Sequence, residues 1–203
     1  MHFRTSFQTP YRSSGRPHGF TLIELLLTLT IMSVLMGLGL PALQNMIGRE
    51  KLLGAAREIS VSMRNARLEA IKTSGPTAVA LDIDPTRRTV TSFVDDDDDG
   101  VYDAGERLLS LRTVTAGVDL TAPTGSGIND VIDGFEKIGT AGVARFNADG
   151  SIDAVGAFRY ADTRGNFFEV RAEPLSVARV KIRKWDGTDW YAKDESDGPW
   201  VWH

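Results

Sequence analysis

With 203 residues, 42% of them apolar, the chain can fill one cored domain and an apolar anchor, and two large domains are excluded. It has no cysteine, which rules out a disulfide framework, a thiol nucleophile and a cysteine metal site. The net charge of −4 is unevenly placed: residues 1–19 hold Arg4, Arg12 and Arg16 with no acid, and the remaining 20 bases face 27 acids, a balance of −7. A basic head before an acidic body predicts a cytoplasmic N-terminus and an exported body.

The first element is GFTLIELLLTLTIMSVLMGLGLP, residues 19–41. Residues 20–40 as a helix would measure about 31 Å, matching a hydrocarbon core of about 30 Å. A carboxylate at Glu24 works against a plain anchor, because a charge at mid-membrane costs roughly 2.5 to 3.5 kcal/mol. A secretory signal would place small residues after the apolar run for cleavage, whereas here the small residue, Gly19, precedes it.

Gly19-Phe20-Thr21-Leu22-Ile23-Glu24, with a basic leader before it and about twenty apolar residues after it, resembles the class III signal of type IV pilins and type II secretion pseudopilins. The resemblance implies a leader of residues 1–19, cut by a prepilin peptidase between Gly19 and Phe20, with methylation of the new Phe20 amine. It also implies retention of residues 20–41 as a transmembrane and assembly helix. In a fibre Glu24 would meet the α-amine of a neighbouring subunit in a low-dielectric bundle and set axial register. A Glu24 snorkelling at the membrane edge is the alternative. Gly37, Gly39 and Pro41 weaken the helix locally, which is read either as a bend in the fibre or as the end of the span.

From residue 42 the pattern becomes amphipathic, with Leu53, Ala56, Ile59, Met63, Ala66 and Ala70 at intervals of three and four. Thr73-Ser74-Gly75-Pro76 is expected to end this helix, the glycine capping it. Strands are expected at 77–83, 89–94, 107–114, 118–122, 144–146, 154–160, 167–172 and 179–185, separated by turns at Asp84-Pro85-Thr86, Asn147-Ala148-Asp149-Gly150, Thr163-Arg164-Gly165-Asn166 and Asp186-Gly187. Residues 124–142 read as a long exposed loop. The fold class is therefore α+β: a long N-terminal helix, membrane-spanning and then amphipathic over residues 42–75, packed on an antiparallel β-sheet domain at 76–203. The helix end Ala66-Arg67-Leu68-Glu69-Ala70-Ile71-Lys72 is similar to that of the GspH/FimT group of minor pseudopilins and minor pilins. The group's late GRVR-like motif stands here as Ala178-Arg179-Val180-Lys181, without the glycine.

VDDDDDGVYDAGE carries the clearest chemistry of the domain. Counted from Asp95, the loop at 95–106 places Asp95, Asp97, Asp99, Asp103 and Glu106 at positions 1, 3, 5, 9 and 12 of a calcium-loop template, with Gly100 at 6 and the Val101 carbonyl at 7. Calcium is the candidate cofactor, held in a hairpin between strands, and a solvated acidic turn is the alternative. Arg179, Lys181 and Arg183 alternate on one strand face, as a stripe for DNA phosphates or as charges guarding an edge strand. The acidic body and the tail acids Asp186, Asp189, Asp194, Glu195 and Asp197 oppose a polyanion. Trp185, Trp190, Trp200 and Trp202 cover a sheet face or edge, dock another subunit, or stack a glycan.

Catalysis is not expected. The histidines are His2, His18 and His203, so the mature body has none for a Ser-His or zinc site before its last residue, and no phosphate loop or HExxH occurs. The expected role is a minor pseudopilin or minor pilin that primes or tips a type II secretion pseudopilus or type IV pilus, with a FimT-like binder of DNA or another extracellular ligand as the alternative. Expected partners are other minor and major pilins or pseudopilins, the prepilin peptidase and the inner-membrane assembly platform. The expected location is the bacterial inner membrane, with a periplasmic domain, and then the fibre.

Overall fold

Thr21 opens the first helix: its carbonyl accepts from the amides of Glu24 and Leu25 at 3.1 and 3.2 Å, and its Oγ1 from Glu24 N at 3.3 Å. That is the N-cap half of a capping box, which relieves an orphan amide of the first turn. The computed structural model describes residues 19–124 and 130–192. The leader with Arg4, Arg12, Arg16, His2 and His18, and the tail with Trp200, Trp202, Asp194, Glu195, Asp197 and His203, lie outside the described residues.

The helix α1 (Leu22–Thr73) belongs to two compact units, Met1–Leu43 and Gln44–His203. Residues on both sides of Gly37, Gly39 and Pro41 are helical. At its C-terminus Gly75 N donates to Ala70 O at 3.3 Å. This six-to-one bond requires a left-handed residue just before its donor, and that residue is Ser74, at φ 53. The expected glycine cap is thus shifted by one position, with Gly75 as the donor beyond the left-handed residue.

Within the second unit, α1 buries Leu52, Ala55, Ala56, Ile59, Met63, Ala66 and Ala70 and half-buries Leu53. The expected stripe is present, widened by Leu52 and Ala55. It packs on two antiparallel sheets that share one core. The first sheet runs, edge to edge, β3 (Leu108–Thr113), β2 (Thr89–Val94), β1 (Thr77–Asp82), β7 (Ala141–Phe146) and β6 (Glu136–Ile138). The second runs β11 (Trp190–Ala192), β10 (Arg179–Trp185), β9 (Phe167–Glu173), β8 (Gly156–Asp162) and β4 (Val118–Asp119), and β5 (Ile132–Asp133) also pairs with β8. The turns form where the sequence places them. Asp84 Oδ1 accepts from Thr86 N at 2.8 Å, and Gly150 N donates to Asn147 O at 2.8 Å with Gly150 at φ 81.

The expected loop at 124–142 is corrected in its described part. Residues 130–138 contribute β5 and β6 and bury Ile132 and Phe135. Two glycines make room for them: a Cβ on Gly142 would lie 2.6 Å from Ile132 carbons, and one on Gly156 would lie 2.4 Å from the Phe135 ring. The Phe135 ring then meets Phe158 at 4.9 Å. Strands of two and three residues are too short to show a period in sequence, and β11 escapes notice for the same reason.

The face of the second sheet opposite the core carries ions. Glu169 on β9 is 0% exposed and Arg159 on β8 is 2% exposed. Arg159 Nε donates to Glu169 Oε2 at 3.2 Å, its Nη2 to Asp133 Oδ2 at 2.7 Å and its Nη1 to Asp130 O at 3.2 Å. The Trp190 ring lies 5.4 Å from that guanidinium and 5.3 Å from Trp185.

Candidate assembly segment and acidic loop

Leu22–Leu40 is long and apolar enough to cross a membrane, and none of it is buried inside the structure. Every apolar side chain named in this span, from Leu22 and Ile23 to Leu38 and Leu40, is exposed, as is Phe20 before it. Its hydroxyls are satisfied within the helix: Thr28 Oγ1 donates to Leu25 O at 2.9 Å, Ser33 Oγ to Leu29 O at 2.8 Å, and Thr30 Oγ1 to Leu26 O. Such back-bonding lets polar side chains sit in hydrocarbon or between packed helices. Gly19 and Phe20 precede the first helical turn and are exposed, and Glu24 lies in that turn, where the helix N-terminus favours a negative charge.

The acidic loop joins β2 to β3. Asp95 is fully buried: its Oδ1 accepts from Asp99 N at 3.1 Å and its Oδ2 from Gly100 N at 3.1 Å. Burial pushes the Asp95 carboxyl above its ordinary value; the Glu106 and Asp98 charges add to this, and the Gly100 amide and Arg145 oppose it. Arg145 on β7 places Nε 3.6 Å from Asp95 Oδ2 and 3.9 Å from Asp98 Oδ1, and its Nη1 bonds Glu136 Oε2 at 2.6 Å. Gly100, at φ 75, is the residue that lets this guanidinium in, since a Cβ there would lie 2.6 Å from Arg145 Nη2.

Oxygens of Asp95, Asp97 and Asp99 lie within 4.8 Å of one another. The other expected ligands are placed differently. Glu106 closes the loop, its Oε1 accepting from Asp96 N at 3.0 Å and its Oε2 from Asp103 N at 2.9 Å. Asp103 and Glu106 are not members of the three-carboxylate group, and exposed Val101 donates its amide to Asp99 Oδ1 at 2.7 Å. Arg145 was not a candidate in the sequence, because fifty positions separate it from Asp95 and no local pattern links them.

On β10, Arg183 donates to Glu173 and places Nη1 3.7 Å from Glu169 Oε1, and Lys181 Nζ lies 3.6 Å from Glu173 Oε1. Arg179 is exposed. Burial raises the Glu173 carboxyl, but hydrogen bonding to Arg171 and the charges of Arg183, Arg171 and Lys181 outweigh it and leave the group below its ordinary value. Two of the three stripe cations thus already face carboxylates of β9.

Residues 15–40 match the model of the prokaryotic N-terminal methylation motif, and residues 55–180 match that of type II transport protein GspH. The pilin-like protein PilA1 of Thermus thermophilus is 39% identical over 88 residues, 43% of this chain and 54% of that protein. The chain thus spans about half the length of that relative. The crystal structure of the type IV minor pilin FimU of Pseudomonas aeruginosa aligns over 66% of this chain and 89% of that one, at 15% identity and a TM-score of 0.39. An exposed apolar first helix that carries the methylation motif, leading into an antiparallel domain, defines a pilin-like protein. More narrowly, the chain belongs to the GspH family, whose model spans more than half of it.

Proposed function

We propose that this chain is a minor pseudopilin or minor pilin subunit that primes or tips a type II secretion pseudopilus or type IV pilus. It is assembled through its N-terminal helix after a prepilin peptidase cuts between Gly19 and Phe20 and methylates the Phe20 amine. The observation that carries this is the wholly exposed apolar span Leu22–Leu40 with an acid in its first turn. A surface that apolar needs lipid before assembly and other helices after it. Partners on this reading are other pilins or pseudopilins, the peptidase and the inner-membrane platform, and the body faces the periplasm. In the host, Glu24→Ala leaves processing intact and lowers fibre or secretion output; unchanged output would refute the register role.

Binding of DNA or another ligand through Arg179, Lys181 and Arg183 is the less favoured reading, because Glu173 and Glu169 neutralise much of the stripe. Salt-dependent retardation of duplex DNA, lost when all three are replaced, would favour it.

A separate reading concerns calcium at Asp95, Asp97 and Asp99, with Val101, Asp103 and Glu106 drawn in. Two oxygens on opposite sides of one calcium lie about 4.8 Å apart, twice a bond of about 2.4 Å, and the three aspartate oxygens fall within that span. With a Kd of about 0.1 to 1 mM, 10 mM calcium would stabilise the protein by roughly 1.4 to 2.7 kcal/mol. Asp99→Asn abolishes the resulting rise in Tm. Equal Tm in chelator and in 10 mM calcium (~ten times the weaker Kd) ends this reading.

A further inference from the structure

The two faces of the first sheet differ in character. Val79, Leu81, Val90, Ala144 and Phe146 belong to the core shared with α1, whereas Ala78, Phe93 and Val143 form a small separate cluster, with Ala80 and Ile138 packed against it. Strand alternation places Asp82, Thr89 and Thr91 on this outer face as well. A cleft of about 410 Å³ lies there, within the range of small-ligand sites, roughly 300 to 1,000 Å³. Ala80, opposite Thr91 on β2 and Val143 on β7, gives it a low floor. The acidic loop walls one end through Val101 and Tyr102. The Tyr102 ring lies 5.6 Å from that of Phe93 and remains 44% exposed.

The other end is polar and held in place. Arg87 Nε lies 3.1 Å from Asp82 Oδ2, Arg87 Nη2 donates to Thr140 Oγ1 at 3.2 Å, and Thr140 Oγ1 donates to Asp82 Oδ1 at 2.7 Å. Arg87 Nη1 makes no hydrogen bond among the described residues, and neither do the hydroxyls of Thr89, Thr91 and Tyr102, which also line the cleft. The cleft thus offers an exposed ring and a small apolar floor at one end, and a fixed carboxylate–guanidinium pair with unengaged hydroxyls at the other.

We propose that this cleft binds a neutral oligosaccharide. The C–H face of one sugar ring lies against the negative face of Tyr102, and its hydroxyls bond Asp82, Arg87 and Thr91. A neutral ligand fits because Asp82 and Arg87 are the only charged residues lining the cleft, and exposed Asp98, Asp99 and Asp103 beside Tyr102 repel an anion. An extended peptide fits less well. The floor strands β1, β2 and β7 are paired on both sides, so no strand edge is open to add to, and the unengaged groups are side-chain hydroxyls.

For the test, the full chain is held in lauryldimethylamine oxide micelles, which carry no sugar headgroup. It is titrated with maltotriose and with triacetylchitotriose while isoleucine methyl resonances are recorded. At least one sugar should shift the Ile138 methyl saturably by about 10 mM, while Ile59, buried in the core on α1, stays in place. Tyr102→Ala and Arg87→Met should each weaken binding at least about fivefold, and Tyr102→Phe should retain it within about threefold. Thr91→Val, an isostere on the sheet, keeps the test decisive if Tyr102→Ala unsettles the loop, and should weaken binding about threefold at unchanged Tm. Arg164→Ala, in the distant turn between β8 and β9, should bind as wild type does. No saturable shift with either sugar, equal movement of Ile59 and Ile138, or wild-type affinity in both Arg87→Met and Thr91→Val overturns the inference. A larger Ile138 shift with heparin or duplex DNA overturns it too, since an anion would then be the better ligand. The measurement involves no fibre, so its result is independent of the assembly role proposed above.

Discussion

Replacing Arg159 by methionine removes the guanidinium that bonds Glu169, Asp133 and the Asp130 carbonyl, while the methionine still fills space beneath Trp190. Glu169, 0% exposed, then faces Arg183 Nη1 at 3.7 Å, and its Oε1 has no hydrogen bond. Breaking a buried pair from one side costs about 3 to 5 kcal/mol, because the orphaned charge stays buried. For a body of this size each kcal/mol lowers Tm by about 2 to 4 °C, so a loss of roughly 6 to 20 °C is expected. The assay is near-UV circular dichroism of the full chain in detergent during heating, which reads the packed tryptophans. The double change Arg159→Met with Glu169→Met removes both charges and should recover at least about 1.5 kcal/mol of the single loss. A single variant that melts within about 2 °C of wild type, or a double variant whose loss equals the sum of the two singles, would refute this account of the buried layer.

The pH dependence has a definite sign. Burial raises the Glu169 carboxyl above 4.5 despite the charges of Arg159, Arg171 and Arg183. A raised acid contributes stability that is fully present below its unfolded value and lost as pH rises through its folded value. The difference in Tm between wild type and Glu169→Gln should therefore move in favour of wild type as pH falls from 7 toward 4.5, and a flat difference would contradict the shift. Gly142→Ala drives a Cβ to 2.6 Å from the Ile132 side chain, an overpacking worth about 1 to 3 kcal/mol. Trimming the neighbour with Ile132→Ala should restore part of that loss, and equal or lower Tm in the double variant would show that the two do not compete for space.

Much of the organisation is local and therefore legible in the sequence. A charge-poor run of membrane length, an apolar stripe at intervals of three and four, and Asp, Asn and Gly at turns each state their structure within a few residues. These features fixed in advance the order of one helix followed by antiparallel strands, and the residues at the head of the helix. They also marked Asp95 and Gly100, since a run of acids with one glycine is visible in isolation.

What only the tertiary structure decided involves partners far apart in sequence. Arg145 sets one cation beside Asp95 and Asp98 in the acidic loop, Glu169 and Glu173 bind two cations of the basic stripe, and Ile132 and Phe135 become core because Gly142 and Gly156 leave room for them. Periodicity records which face of an element is apolar, but not which charge or glycine the fold brings against it. The motif at the head of the helix was readable because it lies in six consecutive residues, whereas the surfaces of the domain were not, because each is assembled from strands dozens of residues apart.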